Sequence, residues 1–474
     1  MKKIVLFLIL FLVSCNLALA VKEIGFEVTD STRSWEIGRD KIYDYSPSVL
    51  KEDNGETKIY TCGGQMSGTG EWYDSIYLTV FNSNGIKTVN QKLVLSPLVR
   101  TTGSDDSAYA CAPSVIKHSF AGLENGKEKY LMYYECAPKV YRKSVSDGPP
   151  TGIFTQTCVA FSDDGINWQK YNEDIWTSKG RFANANEPPT AVIKINPVMA
   201  QKFGIEKIGG KWWSNLNVYD GNAYGVGHPT VLVKDGQIWL YYYDSVGEYN
   251  DRGMFLAKSD NGFNFYPPVK IANIRSPMDV RYVAVPAMGR TGFFVAFGGG
   301  YGVPYYNYSG DGITWAWNEV DSKEFYTGFL ANNYSLGQVS AGKCLLSGTN
   351  TFGSDKHGII HSLDVDVYIN EGYLGGNYGC TSINGCTCYS SLEDGGRGYS
   401  WQTYRYKGKF IPIIPTIIPT VKPTATPTKA TNMPGDYDGD RDVDLVDFGI
   451  WKGKYLAGNL TLVEFGVWKR EYLK

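Results

Sequence analysis

Ser162-Asp163-Asp164-Gly165-Ile166-Asn167-Trp168, Ser259-Asp260-Asn261-Gly262-Phe263-Asn264-Phe265 and Ser309-Gly310-Asp311-Gly312-Ile313-Thr314-Trp315 are three copies of one phrase, and they decide the fold. Asp-Gly or Asn-Gly supplies the positive-φ corner of a tight hairpin. The aromatic that follows gives the next strand a large side chain to pack between sheets. Asn82-Ser83-Asn84-Gly85-Ile86 is a weaker copy.

The turn phrase closes several units, and three units begin with a proline. Ser46-Pro47-Ser48-Val49, Ala112-Pro113-Ser114-Val115 and His228-Pro229-Thr230-Val231 each open an apolar strand. A second strand follows each: Lys58-Ile59-Tyr60-Thr61, Tyr130-Leu131-Met132-Tyr133 and Trp239-Leu240-Tyr241-Tyr242. Phe293-Phe294-Val295-Ala296 matches the second strand of a fourth unit, and Leu345-Leu346-Ser347 provides a strand for a fifth, over residues 328–367. Such repetition predicts a mainly β chain, a propeller of four-stranded blades with insertions. Composition agrees. The 474 residues include 54 Gly, 35 Tyr and 12 Trp, a balance suited to many short strands and tight turns rather than a helical bundle. Lys plus Arg (46) and Asp plus Glu (48) nearly cancel, which argues against a nucleic-acid partner.

Residues 1–20 carry Lys2 and Lys3, an apolar run from Ile4 to Val13, and the small-residue triplet Ala18-Leu19-Ala20. This is the pattern of a signal peptide, and the run is too short to span a membrane, so no transmembrane helix is expected. Leu12-Val13-Ser14-Cys15 also fits a lipoprotein signal, which leaves lipidation of Cys15 as the alternative. Removing Cys15 from the nine cysteines leaves eight, an even number compatible with disulfides in an exported chain. Zinc-type spacing is lacking.

From residue 411 to 434 the chain reads IPIIPTIIPTVKPTATPTKATNMP, a Pro/Thr spacer that extends to roughly 70 Å at about 3.1 Å per residue. It separates a body, residues 21–410, from a tail, residues 435–474. The tail opens with a twelve-residue calcium-loop pattern, in which Asp436, Asp438, Asp440, the carbonyl of Asp442, Asp444 and Asp447 supply hard oxygen ligands. Arg441 stands where glycine is usual, and Asp447 replaces the longer glutamate. Residues 459–473 (NLTLVEFGVWKREYL) repeat residues 442–456 (DVDLVDFGIWKGKYL), with Leu445/Leu462, Phe448/Phe465 and Trp451/Trp468 on one helical face. The tail resembles the dockerin type I module, an EF-hand-like helix pair, and the resemblance implies docking onto a cohesin-type partner. Gly453, Tyr455 and Ala457 fall where the second loop would place carboxylates, so one Ca²⁺ ion is expected.

The body resembles the five-bladed β-propeller glycosidases, the superfamily of arabinanases, β-xylosidases, invertases and levansucrases. That likeness implies a glycoside hydrolase acting on a polysaccharide or oligosaccharide through carboxylates at the funnel mouth: a base or nucleophile, a general acid, and a modulator of the acid. The base position before the first-blade proline holds Ser46; Asp44, two residues earlier, is the candidate, with a turn-capping role as the alternative. Asp279 is the second carboxylate, and Arg281 shares its strand face, as a substrate-binding residue or as its internal ion-pair partner. Glu135 is the candidate acid, with Asp244 and Glu187 as further options. His228 is a candidate for binding a sugar hydroxyl, or a structural histidine. A non-catalytic glycan-binding propeller is the competing reading of the whole.

Overall fold

The computed structural model describes residues 23–38, 44–66, 72–99, 103–120, 127–143, 152–184, 186–215, 225–244, 253–272, 278–285, 292–300, 303–316, 345–347, 351–374, 399–413, 437 and 445–456. The chain divides into two compact units, Met1–Ile414 and Pro415–Lys474. The first is mainly β, as expected; the expected signal segment, nearly all of the spacer, and most of the tail lie outside the described residues.

Among the described residues, five sheets of the body each begin with an inner strand: Asp44–Lys51, Tyr109–His118, Val226–Lys234, Met278–Val283 and Thr351–Phe352. Consecutive inner strands are neighbours, and the fifth returns to the first, so the strands form a closed cycle. The fifth sheet is built differently from the others. Its outer strand Glu23–Ile37 comes from the start of the body and pairs antiparallel with Tyr399–Ile413 from its end. Those two long strands, and Asp364–Leu374 beside them, escaped the sequence reading because they carry no turn phrase. Strand Tyr399–Ile413 also runs into the segment read as spacer: Pro412 pairs with Ile24 and Ile413 with Glu23. A further, accessory sheet, comprising Glu206–Ile208, Lys211–Ser214, Lys139–Arg142 and Gly152–Ile153, is inserted between the second and third inner strands.

The turn phrase works as its composition suggests. Ser162 Oγ accepts from the Gly165 N–H (2.9 Å), and Asp164 Oδ1 accepts from the Ile166 and Asn167 N–H groups, both 2.8 Å. Ser259/Asn261 and Ser309/Asp311 repeat the arrangement. Each turn glycine then offers its carbonyl to the preceding sheet: Tyr60 donates to Gly165 (2.9 Å), Tyr133 to Gly262 (2.7 Å) and Tyr241 to Gly312 (3.1 Å). These tyrosines stand opposite Ser48, Ser114 and Thr230 on the inner strands. The corresponding residue of the fourth sheet is Phe297, opposite Asp279. A phenyl suffices there, because the outer two strands of the fifth sheet come from opposite ends of the body and no tight turn joins them. In the fifth sheet the position is Tyr368, opposite Thr351, and the buried Tyr368 hydroxyl has no hydrogen-bond partner among the described residues.

These facts give a paired prediction. Tyr133→Phe should destabilise the body by about 1 kcal/mol, since it leaves the buried Gly262 carbonyl without its donor. Tyr368→Phe should be neutral or stabilising, because it removes an unsatisfied buried hydroxyl. Urea denaturation of both variants checks this, and equal destabilisation would count against it.

One end of the cycle is closed by residues 354–360. Ser354–Asp355 pair with Leu50 and Lys51, the Lys356 carbonyl accepts from Lys117 N (2.6 Å), and the His357 carbonyl accepts from Val233 N (2.8 Å). Ile359–Ile360 then pair with Tyr282 and Val283. The segment thus touches the C-terminal part of the other four inner strands in turn. Gly358 is required at the crossing: its φ is +77°, and a Cβ there would lie 2.9 Å from Leu232 Cβ and 3.0 Å from the Val231 carbonyl.

Candidate functional site at the rim of the strand cycle

The opposite end begins with three strained residues. Ser46, Ala112 and His228, each directly before proline, have φ of +50°, +43° and +48°. All three lie at register shifts, between Tyr45 and Ser48, Cys111 and Ser114, and Gly227 and Thr230. A residue before proline favours extended backbone, and a left-handed conformation costs roughly 1–3 kcal/mol, so three bulges at matching places mark a constrained rim. The bulge also undoes one inference from sequence. The two-residue alternation that linked Asp44 to the Ser46 position does not carry across Ser46, because the extra residue breaks the period. Asp44 stands at the start of the first inner strand, paired in register with Gly63.

Past each bulge a hydroxyl binds the neighbouring strand. Ser48 Oγ accepts from Val115 N (2.9 Å), Ser114 Oγ from Val231 N (3.0 Å), and Thr230 Oγ1 from Val280 N (3.1 Å). Inner strands of different sheets share no ladder, so these side chains satisfy N–H groups that would otherwise be buried and unpaired. This is the physical meaning of the Pro-Ser/Thr-Val phrase.

Glu135 lies at the rim, opposite Cys111 on the second inner strand, and is 1 % exposed. Tyr109 donates its hydroxyl to Glu135 Oε1 at 2.7 Å, and His228 Nε2 stands 3.8 Å from Glu135 Oε2. Gly227, beside His228, makes room: a Cβ there would sit 2.7 Å from the Glu135 carboxyl carbon. A disulfide joins Cys111 to Cys62 on the first sheet, and a second joins Cys136, next to Glu135, to Cys158. The two disulfides satisfy the expectation from an even cysteine count for these four residues. The structure therefore brings together two of the residues singled out in the sequence, Glu135 and His228. It adds Tyr109, whose signal, an aromatic two residues before the inner-strand cysteine, is too weak to find unaided.

Asp279 and Arg281 form a separate pair. Arg281 Nη2 lies 2.9 Å from Asp279 Oδ1, and both are buried on the fourth inner strand. Asp279 occupies the row of Ser48, Ser114 and Thr230 and receives hydroxyls from Thr230 (2.9 Å) and Thr351 (2.6 Å). Burial pushes its carboxyl above the ordinary range, against the opposing effects of Arg281 and those hydroxyls. Arg281 Nη1 also donates to Thr230 Oγ1 (3.1 Å) and the Val280 carbonyl (3.0 Å).

Two other carboxylates considered as acids are placed differently. The residue matching Glu135 in the third sheet is Tyr243, opposite Gly227; Asp244 is one position further, opposite Val226, and so falls on the other face of its strand. Glu187 is held by Arg181 through two contacts of 2.8 Å and by Asn184 N–H, and these hold its pKa down at about 2, unsuited to proton donation. A buried pair the sequence reading passed over, Asp105 and Asp106, is bound by Ala191 N–H (3.1 Å) and by an ion pair to Lys170. Burial raises the Asp105 carboxyl, while Lys207 of the accessory sheet faces it at 3.8 Å.

In the tail, Asp436, Asp438, Asp440, Asp442 and Asp444 lie outside the described residues. Asp447, in helix Leu445–Leu456, is fully buried and accepts from Tyr437 N, so the last loop position reaches back to the second. Phe448 stacks on Trp451 with centroids 5.8 Å apart.

No family model matches the chain, and no curated protein does. Among solved structures it is similar to a family 117 glycoside hydrolase, Zg3597, of the marine bacterium Zobellia galactanivorans. That match has 12 % identity over 82 % of this chain and 91 % of the other, with a TM-score of 0.41. It is similar also to the catalytic domain of the Coprinopsis cinerea GH62 α-L-arabinofuranosidase, with 11 % identity over 81 % and 98 % and a TM-score of 0.43. A third is an N-acetylgalactosamine deacetylase from F. plautii, with 13 % identity over 83 % and 96 % and a TM-score of 0.42. No helix among the described residues is long and apolar enough to cross a membrane.

Proposed function

We propose that the body is a five-bladed β-propeller that hydrolyses a polysaccharide or oligosaccharide, with Glu135 as its general acid. The observation that carries this reading is a buried carboxyl group at the rim, oriented by Tyr109 and facing His228. Because Tyr109 donates to Oε1, the proton for a leaving-group oxygen belongs on Oε2, the side toward His228. His228, fixed by its bulge, then binds a hydroxyl of the sugar. Asp44, at the same end of the first inner strand, is proposed as the partner carboxylate that activates water or attacks carbon. Asp279 and Arg281 are assigned a bracing role, tying three inner strands together.

The tail is proposed as a dockerin-like module holding one Ca²⁺ through Asp436, Asp438, Asp440, Asp442, Asp444 and Asp447, and docking onto a cohesin-type partner. The buried Asp447 and its bond to Tyr437 support that reading. The paired cysteines support an exported protein, anchored through Cys15 if that residue is lipidated.

Incubating the full chain with a panel of arabinans, xylans, fructans and galactans, and measuring released reducing ends, tests the enzymatic reading. Retention of a glycan without release of sugar would favour the non-catalytic binding propeller. For the tail, added Ca²⁺ should raise helicity and the melting temperature, and Asp436→Ala should abolish the response. An unchanged calorimetric trace on adding Ca²⁺ overturns the calcium assignment.

A further inference from the structure

We propose that the outer face of the accessory sheet is a binding surface for anionic polysaccharide, centred on Trp213 and Lys211. The proposal rests on the carbohydrate reading of the rim and narrows its ligand to sugars bearing carboxylate or sulfate groups. Strand Lys139–Arg142 leaves the second sheet just beyond Glu135, and strand Lys211–Ser214 pairs parallel with it. Alternation sorts their side chains. Val140 and Trp212 face inward, Val140 fully buried and Trp212 packed on Phe154 with centroids 5.1 Å apart. Tyr141 and Trp213, paired across the strands, therefore take the outer face, with ring centroids 5.6 Å apart and neither fully buried.

The polar groups are arranged for a charged ligand. Trp213 donates its indole N–H to the Ile208 carbonyl at 3.3 Å, which satisfies the donor on a half-buried ring. Glu206, opposite Trp213, is neutralised by Lys143. Lys211 lies over the Tyr141 ring at 5.0 Å, and no carboxylate pairs with it among the described residues. An ammonium over Tyr141, the ring next to Trp213, fits a pyranose whose apolar C–H face meets the half-buried indole and whose anionic substituent reaches Lys211. Exposed Ile208 (53 %) extends the apolar strip.

Affinity electrophoresis and calorimetry of the full chain carrying Glu135→Gln, which removes any turnover, test this with dextran, carboxymethyl-dextran and dextran sulfate, and with polygalacturonate. The anionic polymers should bind and plain dextran should not. Carboxymethyl-dextran against dextran sulfate shows which anion is preferred. Trp213→Ala should weaken binding about tenfold, Trp213→Phe should retain most of it, and Lys211→Gln should flatten its salt dependence. Equal retention of neutral and charged polymers, or unchanged binding by a folded Trp213→Ala chain, overturns the proposal. Because the readout is binding, loss of the hydrolase reading leaves it standing, and absence of binding leaves hydrolysis at Glu135 untouched.

Discussion

Glu135→Gln should lower hydrolysis of the substrate found in the glycan panel by about 10²–10⁴-fold, the range that a positioned general acid contributes. The fold should survive, because glutamine keeps the shape and its amide oxygen still accepts from Tyr109, the 2.7 Å contact that orients the native group. Thermal melts should therefore move little while turnover collapses. Gly227→Ala gives an independent check. Its Cβ would sit 2.7 Å from the Glu135 carboxyl carbon, so the acid must move, and activity should fall although no ionisable group has changed. His228→Asn should act mainly on KM, since its proposed task is holding a sugar hydroxyl. A Glu135→Gln chain that still turns over at the native rate would remove the acid from this residue. A wild-type chain that binds glycan without cleaving it would favour the lectin-like reading.

Much of this architecture was legible because it repeats. Three Ser-x-Asp/Asn-Gly turns and three X-Pro-Ser/Thr-Val phrases each serve one physical task, closing a hairpin or satisfying a neighbour's N–H, and each task constrains particular residue types. The fifth sheet was legible only in part. Its outer strands come from the two ends of the body, so it has no turn phrase, and Glu23–Ile37 pairs with Tyr399–Ile413 across a separation that no local pattern reports. The rim was half legible. A carboxylate ending a strand drew attention to Glu135, whereas Tyr109 and the need for Gly227 depend on contacts between sheets. Asp244 ends its strand as Glu135 does but lies one register position further along, and alternation broke at Ser46, because period-two reasoning assumes an unbulged strand. The spacing that identified Asp279 and Arg281 as sharing a face was sound, and the same spacing permits an internal pair.

Removing one member of that pair should be the most damaging single change to the body. Arg281→Met should destabilise it by about 3–5 kcal/mol, and Asp279→Asn by a similar amount, since each leaves a buried partner uncompensated. Arg281 also donates to the hydroxyls of Thr230 and Thr351 on the strands to either side, so its loss loosens three inner strands at once. The double variant Asp279→Asn with Arg281→Met should cost less than the sum, because it removes the isolated charge that each single change creates. A pH series separates charge from packing. Burial already raises the Asp279 carboxyl against the pull of Arg281; without the guanidinium it rises further. The unfolded carboxyl, with a pKa of about 3.9, releases its proton first, so a raised folded value makes the stability of Arg281→Met greatest below that pH and lost as pH rises toward neutrality. Arg281→Met should therefore recover part of its deficit relative to wild type near pH 4, whereas Asp279→Asn should not. Chemical denaturation of the three variants at pH 4 and pH 7 reads this directly. Additive costs, or a deficit independent of pH, would mean that the two side chains act through packing alone.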